Sequence, residues 1–174
     1  MYRNIKIVRV NSDYCDYLRK YDDKVVFNFG NKKLRPFVGI LFTIGKIEYF
    51  APLSSPKIKH KKLKNTIDLI KINDGRYGVV NFNNMIPVMP NNYEIFDLNK
   101  KEIDSSKNKR YELMNNQLRW LTKYKKEVYF KSKLLYVLYK NNKLPQNVKN
   151  RCCNFLLLEK KCILYNNKKL PNGS

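Results

Sequence analysis

Apolar positions alternate loosely over Ile5, Ile7 and Val10, a period-two pattern that predicts an opening strand. Asn11-Ser12-Asp13 then supply N-cap candidates for a short helix, with Tyr14, Tyr17, Leu18 and Tyr21 at i, i+3, i+4 and i+7. Such a stripe predicts core packing for Tyr17, Leu18 and Tyr21, and leaves Tyr14, in the first turn, to face a site. Residues 22–35 show no period and carry Asn28, Gly30, Asn31, Lys32 and Lys33, the composition of a loop. The apolar run 37–44, the pair Gly45-Lys46 and the run 47–51 predict two antiparallel strands around a tight turn. Antiparallel pairing sets the start of one strand beside the end of the next, so Arg35 and Ser54 to Lys57 are expected at the same end of the sheet.

Residues 57–64 hold five lysines around His60 and read as a basic loop. A second hairpin is predicted from 66–72 and 77–82 around Asn73-Asp74-Gly75, and short strands from 85–88 and 93–98. Pro87 and Pro90 suit edge positions or bends. From Asp104 the period becomes helical. Tyr111, Met114, Leu118 and Leu121, then Val128, Leu134, Leu135 and Leu138, predict two helices with a bend between 125 and 129, closed by Asn141-Asn142 and Pro145. A final helix is predicted over 154–164 with Phe155, Leu156, Leu158 and Cys162 as core, and 166–174 reads as a basic tail that frays. No repeat or heptad is present. The fold class is therefore α+β: a strongly bent antiparallel sheet or half-barrel with helices added mainly C-terminally, in one domain over 1–165.

Charge narrows the partner. The 174 residues contain 36 Lys+Arg against 14 Asp+Glu, a net +22 spread along the whole chain. Such a charge repels itself unless a polyanion is near, which points to nucleic acid. No apolar run approaches the roughly 20 residues of a spanning helix and no N-terminal segment reads as a signal peptide, so a cytoplasmic protein with no membrane partner is expected. Cys15, Cys152, Cys153 and Cys162 form no CxxC pair and His60 is the sole histidine, so neither a metal site nor a cofactor is expected. Cys15 and Cys162 read as small core residues. A two-histidine acid/base pair is excluded as well.

The stretch Ala51-Pro52-Leu53-Ser54-Ser55-Pro56-Lys57 follows a strand and places two hydroxyls and an ammonium on one short segment. Taken alone, Ser-Ser-Pro-Lys is first of all a surface turn. An RNA substrate changes the balance, because its 2′-OH is an internal nucleophile beside phosphorus. An enzyme then has only to align it, neutralise the phosphate and manage two protons. Arg35 suits the neutralising role, with a guanidinium fork that grips two phosphate oxygens. Lys57, if partly buried among other cations, gains access to proton transfer near neutrality. Ser54 and Ser55 would then donate to non-bridging oxygens. A serine nucleophile is the poorer reading, since no histidine pairs with it.

These residues carry a resemblance. Tyr14 with Tyr17-Leu18 and Asp22-Asp23-Lys24-Val25; Phe37-Val38-Gly39-Ile40; the Ala51 to Lys57 stretch with His60; Met85-Ile86-Pro87; Gln117-Leu118; and Cys153-Asn154-Phe155 with Leu157-Leu158-Glu159 stand in an order that resembles the ToxN/AbiQ/CptN family, the endoribonuclease toxins of type III toxin–antitoxin and phage-abortive systems. The resemblance implies a MazF/Kid-like fold, close to an SH3-like half-barrel. It also implies metal-independent cleavage of RNA to a 2′,3′-cyclic phosphate and a 5′-hydroxyl. The inhibitor would be a repeated pseudoknot RNA, processed by the toxin and bound in a closed protein–RNA assembly. By position, the family's active loop falls on Ser54, Ser55 and Lys57, and its basic residue before the Phe-x-Gly strand falls on Arg35. Some members have threonine at Ser54 and lysine at Arg35, and the arginine makes proton transfer there unfavourable. Tyr14 keeps a ring and hydroxyl suited to the scissile nucleotide. Candidate RNA contacts are Lys32, Lys33, Arg35, Lys59, His60, Lys61, Lys62 and Lys64.

Two readings from other classes stand beside this one. A non-catalytic RNA-binding module would show the same charge and salt dependence. A DNA-binding regulator fits less well, because the charge is not gathered on one recognition helix.

Overall fold

The computed structural model describes residues 4–27, 35–99 and 104–169. Strand β1 (Lys6–Val10) leads into helix α1 (Ser12–Arg19). The predicted run over 37–44 divides into β2 (Phe37–Gly39) and β3 (Thr43–Ile44), because Ile40 turns the backbone with a φ of 60°. Register with the next strand survives the break, since Leu41 N–H donates to Tyr49 O and Tyr49 N–H donates to Phe42 O, both at 3.0 Å. Gly45, at φ 58°, then closes the tight turn into β4 (Ile47–Ser54).

Strand β4 is the axis of the sheet. Buried residues occupy it from Ile47 to Leu53, which leaves it no solvated face until its last residue. Along its length it pairs antiparallel with β3, with β7 (Ile86–Val88), with β2 and with β6 (Val79–Asn81). Strand β5 (Leu69–Lys71) pairs with β6, while β1 joins β2 to β8 (Tyr93–Ile95). The order is β5-β6-β4-β2-β1-β8, open at both ends, with β3 and β7 attached only to β4. Pro87 therefore lies on an edge strand, opposite Tyr49, where its missing N–H costs no ladder bond.

Between β4 and β5, where the sequence predicts a basic loop, the chain forms a short helix, α2 (Ile58–Lys62). Helix α3 (Ser105–Lys123) begins at Asp104, whose carboxylate accepts from Ser106 N–H at 2.8 Å as an N-cap. It breaks at Tyr124, and α4 (Lys125–Lys140) follows, as the change of apolar face predicts. A one-turn helix, α5 (Gln146–Lys149), then precedes α6 (Phe155–Lys169). Helix α6 runs beyond the predicted end at 164, so the beginning of the expected tail is helical, and 170–174 lie outside the described residues. Among the described residues no helix is long and apolar enough to cross a membrane.

Helix α6 closes the core. Phe155, Leu158 and Cys162 are fully buried, and Phe155 meets Tyr49 edge-on at 6.1 Å and Tyr139 at 4.7 Å between ring centroids. Leu156, predicted as core, is 37% exposed on the outer face of the helix. The buried carboxylate of Asp22 accepts from Asn154 N–H at 2.6 Å, just before the first turn, and Tyr49 Oη donates to Glu159 at 2.6 Å. Arg151 grips the buried Asp68 carboxylate with two nitrogens, at 3.0 and 3.2 Å, and so ties the α5–α6 connection to the start of β5. All four cysteines are buried and free. Burial pushes the Cys152 thiol up to about 12 and Cys153 and Cys162 in the same direction, so none is poised as a thiolate.

Two features of α2 and the β5–β6 turn generate predictions. Gly78 has a φ of 93°, and a Cβ there would fall inside the van der Waals envelope of the Ser54 carbonyl oxygen. Gly78→Ala should therefore destabilise the fold by at least about 2 kcal/mol, read as a lower urea midpoint with an unchanged slope. The second prediction concerns His60, which is buried, with Nδ1 lacking a partner among the described residues. Burial, then the nearby Lys57 and Lys59 charges, push its imidazole below the ordinary value. The unfolded chain binds this proton first, so the stability due to neutral His60 is complete above about pH 6.5 and drains away as pH falls toward the lowered folded value. Thermal midpoints measured from about pH 7 down to about pH 5 should fall more steeply for the parent than for His60→Gln. Equal slopes would show that His60 is not held neutral.

Candidate active site

Strand β4 delivers the serines. Ser54 is its last residue, pairs with Val79 of β6, and accepts a hydrogen bond from Asn81 Nδ2 at 2.9 Å through Oγ. That bond occupies a lone pair and leaves the serine's own O–H free to donate elsewhere. Ser55 and Pro56 follow as exposed residues, and Lys57 stands extended before α2, its carbonyl accepting from His60 N–H at 2.9 Å. On the neighbouring strand Leu53 N–H donates to Pro36 O at 2.9 Å. This contact fixes the segment bearing Arg35 alongside Ser54, as antiparallel pairing predicts.

The opposite wall comes from α3. Arg110, Leu113, Met114 and Gln117 recur at i, i+3, i+4 and i+7, one face of the helix, and all four line a cleft of about 350 Å³ together with Arg35, Ser54, Ser55 and Lys57. The lining brings together two guanidiniums, one ammonium, two hydroxyls and one carboxamide, and it contains no carboxylate. Burial presses both Arg35 and Arg110 down from their ordinary value. Desolvated cations concentrated in this way favour an anion that restores what water no longer supplies, and a phosphate oxygen pair matches a guanidinium fork. Gln117 is buried, and its Nε2 donates to Tyr77 O at 2.8 Å. Arg110 and Met114 also line a second hollow of about 290 Å³, where Arg9 pairs with Glu94 beside Phe96 and Tyr111.

Several predicted site residues lie elsewhere. Tyr14 is fully buried, donates to Pro87 O at 2.6 Å and packs its ring 5.0 Å from that of Tyr165. Its expected contact with a substrate is therefore corrected: the side chain belongs to the core, and burial pushes its phenol well above the ordinary value. Tyr21, predicted as core, is instead 41% exposed, with the Lys161 ammonium 3.8 Å from its ring centroid. His60 is corrected in the same sense as Tyr14. It turns inward from α2, and its backbone abuts Gly75, leaving it 3% exposed and unsuited to contact RNA. Lys59, Lys61, Lys62 and Lys64 are exposed around it and flank the cleft without lining it. Lys57 lines the cleft but is exposed, so the partial burial invoked for its proton transfer is absent. Lys32 and Lys33 lie outside the described residues.

Arg110 and Gln117 are the cleft residues that sequence reasoning did not assign. Their signal is the i, i+7 spacing of two polar groups around the apolar pair Leu113-Met114, which reads as a mixed helix face until β4 is set against it. Chemically, the arrangement can hold a phosphodiester between Arg35 and Arg110, donate to it from Ser54 and Ser55, and offer the Lys57 ammonium as a proton donor. Among the described residues no group of three or more His, Cys, Asp and Glu side chains converges as a metal would require.

Comparison with known proteins identifies the relatives of this chain. The family model for the toxin ToxN of type III toxin–antitoxin systems matches residues 6–162. The endoribonuclease ToxN of Bacillus thuringiensis subsp. kurstaki is 32% identical over 167 residues, covering 93% of this chain and 84% of that protein. The endoribonuclease AbiQ of Lactococcus lactis subsp. lactis is 29% identical over 175 residues, covering 94% and 91%. A solved structure of a type III toxin–antitoxin system, in which a non-coding RNA pseudoknot selectively inhibits the toxin, superposes with a TM-score of 0.78 at 32% identity, over 94% of this chain and 99% of that one. With most of its length matched by that model and by relatives named as endoribonucleases, the chain belongs to the ToxN family of type III toxin–antitoxin toxins.

Proposed function

We propose that this chain is a cytoplasmic, metal-independent endoribonuclease toxin, inhibited by a repeated pseudoknot RNA that it processes and with which it forms a closed assembly, and that it acts in growth arrest and phage defence. Residues 1–165 serve as a single toxin domain whose bent sheet corresponds to the MazF/Kid-like, SH3-like half-barrel. The observation that carries the chemistry is the meeting of Arg35, Arg110, Lys57 and the Ser54 and Ser55 hydroxyls on one cleft without a carboxylate.

In this reading the scissile phosphate sits between the two guanidiniums, and the serine hydroxyls donate to its non-bridging oxygens. The 2′-oxygen attacks phosphorus, a 2′-O–P bond forms and the P–O5′ bond breaks. The 2′-hydroxyl passes its proton to solvent water and the departing 5′-oxygen takes one from the Lys57 ammonium, giving a 2′,3′-cyclic phosphate and a 5′-hydroxyl. Lys57 is the lining group able to take part in proton transfer, since both arginines stay charged. The arginines and serines stabilise charge that accumulates on phosphorus oxygens in the transition state. The exposed lysines of α2 extend the positive surface from the cleft and hold the flanking strand in a salt-dependent manner.

Ser55→Ala and Lys57→Ala should each lower RNA cleavage at least about 100-fold while leaving the urea midpoint nearly unchanged. Both sites are exposed, so folding is a minor concern. Normal cutting by both variants would remove the site assignment. An RNA with 2′-deoxyribose at the scissile nucleotide should resist cleavage, and rapid cutting of it would exclude the 2′-hydroxyl mechanism. RNA ends that stay intact with the parent protein would instead favour a binding module.

A further inference from the structure

Gln117 carries a group that the phosphate chemistry does not use. Its residue is 2% exposed, it lines the cleft, and its Oε1 has no hydrogen-bond partner among the described residues. The amide orientation is chemically determined: Tyr77 O is a pure acceptor, so the side-chain nitrogen must face it, at 2.8 Å, and the oxygen is the free end. A buried carbonyl without a donor is costly, and such a group persists where something outside the free fold completes it.

The other polar groups of the cleft indicate what that something is. Arg35, Arg110, Lys57, Ser54 and Ser55 all have hydrogens to give, and a phosphodiester has only acceptor oxygens to receive them. A phosphate can accept from these groups and offers nothing to Gln117 Oε1. In RNA the donor nearest a phosphate is the 2′-hydroxyl of the ribose whose 3′-oxygen bears it. Base N–H groups stand at the far end of the glycosidic bond. We propose that Gln117 Oε1 accepts a hydrogen bond from the 2′-hydroxyl of the nucleotide at the cleft. The role rests on the endoribonuclease reading and deepens it: the bond aligns the nucleophilic oxygen and distinguishes ribose from deoxyribose. The Tyr77 hydrogen bond holds the nitrogen end of the carboxamide, and the oxygen, closed to solvent in the free protein, is reached once a small shift of the lining admits the ribose.

The test compares two cleavage-resistant oligonucleotides, drawn from a site that the parent protein cuts. One carries 2′-amino and the other 2′-fluoro at the scissile nucleotide, so that only the first can donate. The parent protein should bind the 2′-amino strand about tenfold more tightly, the worth of one buried hydrogen bond, and Gln117→Met should bind the two alike. Gln117→Met should also slow cleavage of the all-ribose strand while its affinity for the 2′-fluoro strand stays that of the parent. Equal binding of both strands by the parent overturns the proposal, and that arm requires no variant to fold. A preference that persists in Gln117→Met, or that follows removal of base N–H groups instead of the 2′ substituent, overturns it equally. If the parent protein cuts RNA and these preferences are missing, only the role of Gln117 falls. If it cuts no RNA, the endoribonuclease reading falls with it.

Discussion

The antiparallel pairing of β4 is the constraint on which the rest depends. One eight-residue strand bonds to four others and is buried from Ile47 to Leu53, so its position is over-determined by the sheet. The first residue to leave that burial is Ser54, held by β6 on one side and, one residue earlier, by the Pro36 carbonyl on the other. A short polar segment that would be mobile by itself thus starts from a rigid origin. Precision at the cleft is inherited from the core, and the exposed Ser55 and Lys57 need little packing of their own.

The cleft is also a site of electrostatic tension. Two arginines lose part of their water in a lining that holds no carboxylate, and the buried Gln117 carbonyl oxygen of the same lining has no hydrogen-bond partner among the described residues. Elsewhere several acidic side chains are taken up within the fold. Arg151 finds Asp68, Arg19 finds Asp16, and the buried Asp22 accepts from the backbone of Asn154. The cleft lining, rich in donors and without an acidic group, suits a ligand rich in acceptors.

Much of this was legible in the chain. The apolar runs on either side of Gly45-Lys46 located the hairpin, and antiparallel geometry alone put Arg35 beside the serines. The change of helical face near Tyr124 was equally readable. What escaped depended on distant partners. The stripe Tyr14, Tyr17, Leu18, Tyr21 announces a buried face without saying which ring lies deepest; Tyr14 does, with its hydroxyl on the Pro87 carbonyl, while Tyr165, more than a hundred residues on, packs against both Tyr14 and Tyr17. The lysines around His60 conceal a helical turn, and its burial is set by close approach to the backbone at Gly75. Arg110 and Gln117 sit among apolar neighbours at helical spacing, so only the juxtaposition of α3 with the exit of β4 reveals them as site residues.

Helix α6 adds a temporal dimension. It supplies Phe155 to the ring cluster around Tyr49, and Glu159 to the Tyr49 hydroxyl, yet it follows every cleft residue in the chain. During synthesis, Arg35 through Gln117 emerge from the ribosome well before the helix that completes the core beneath them. A polypeptide still being translated therefore lacks the support that sets β4. Cutting activity should arise only after α6 has been made and docked, which separates in time the synthesis of the cleft residues from the appearance of a working cleft.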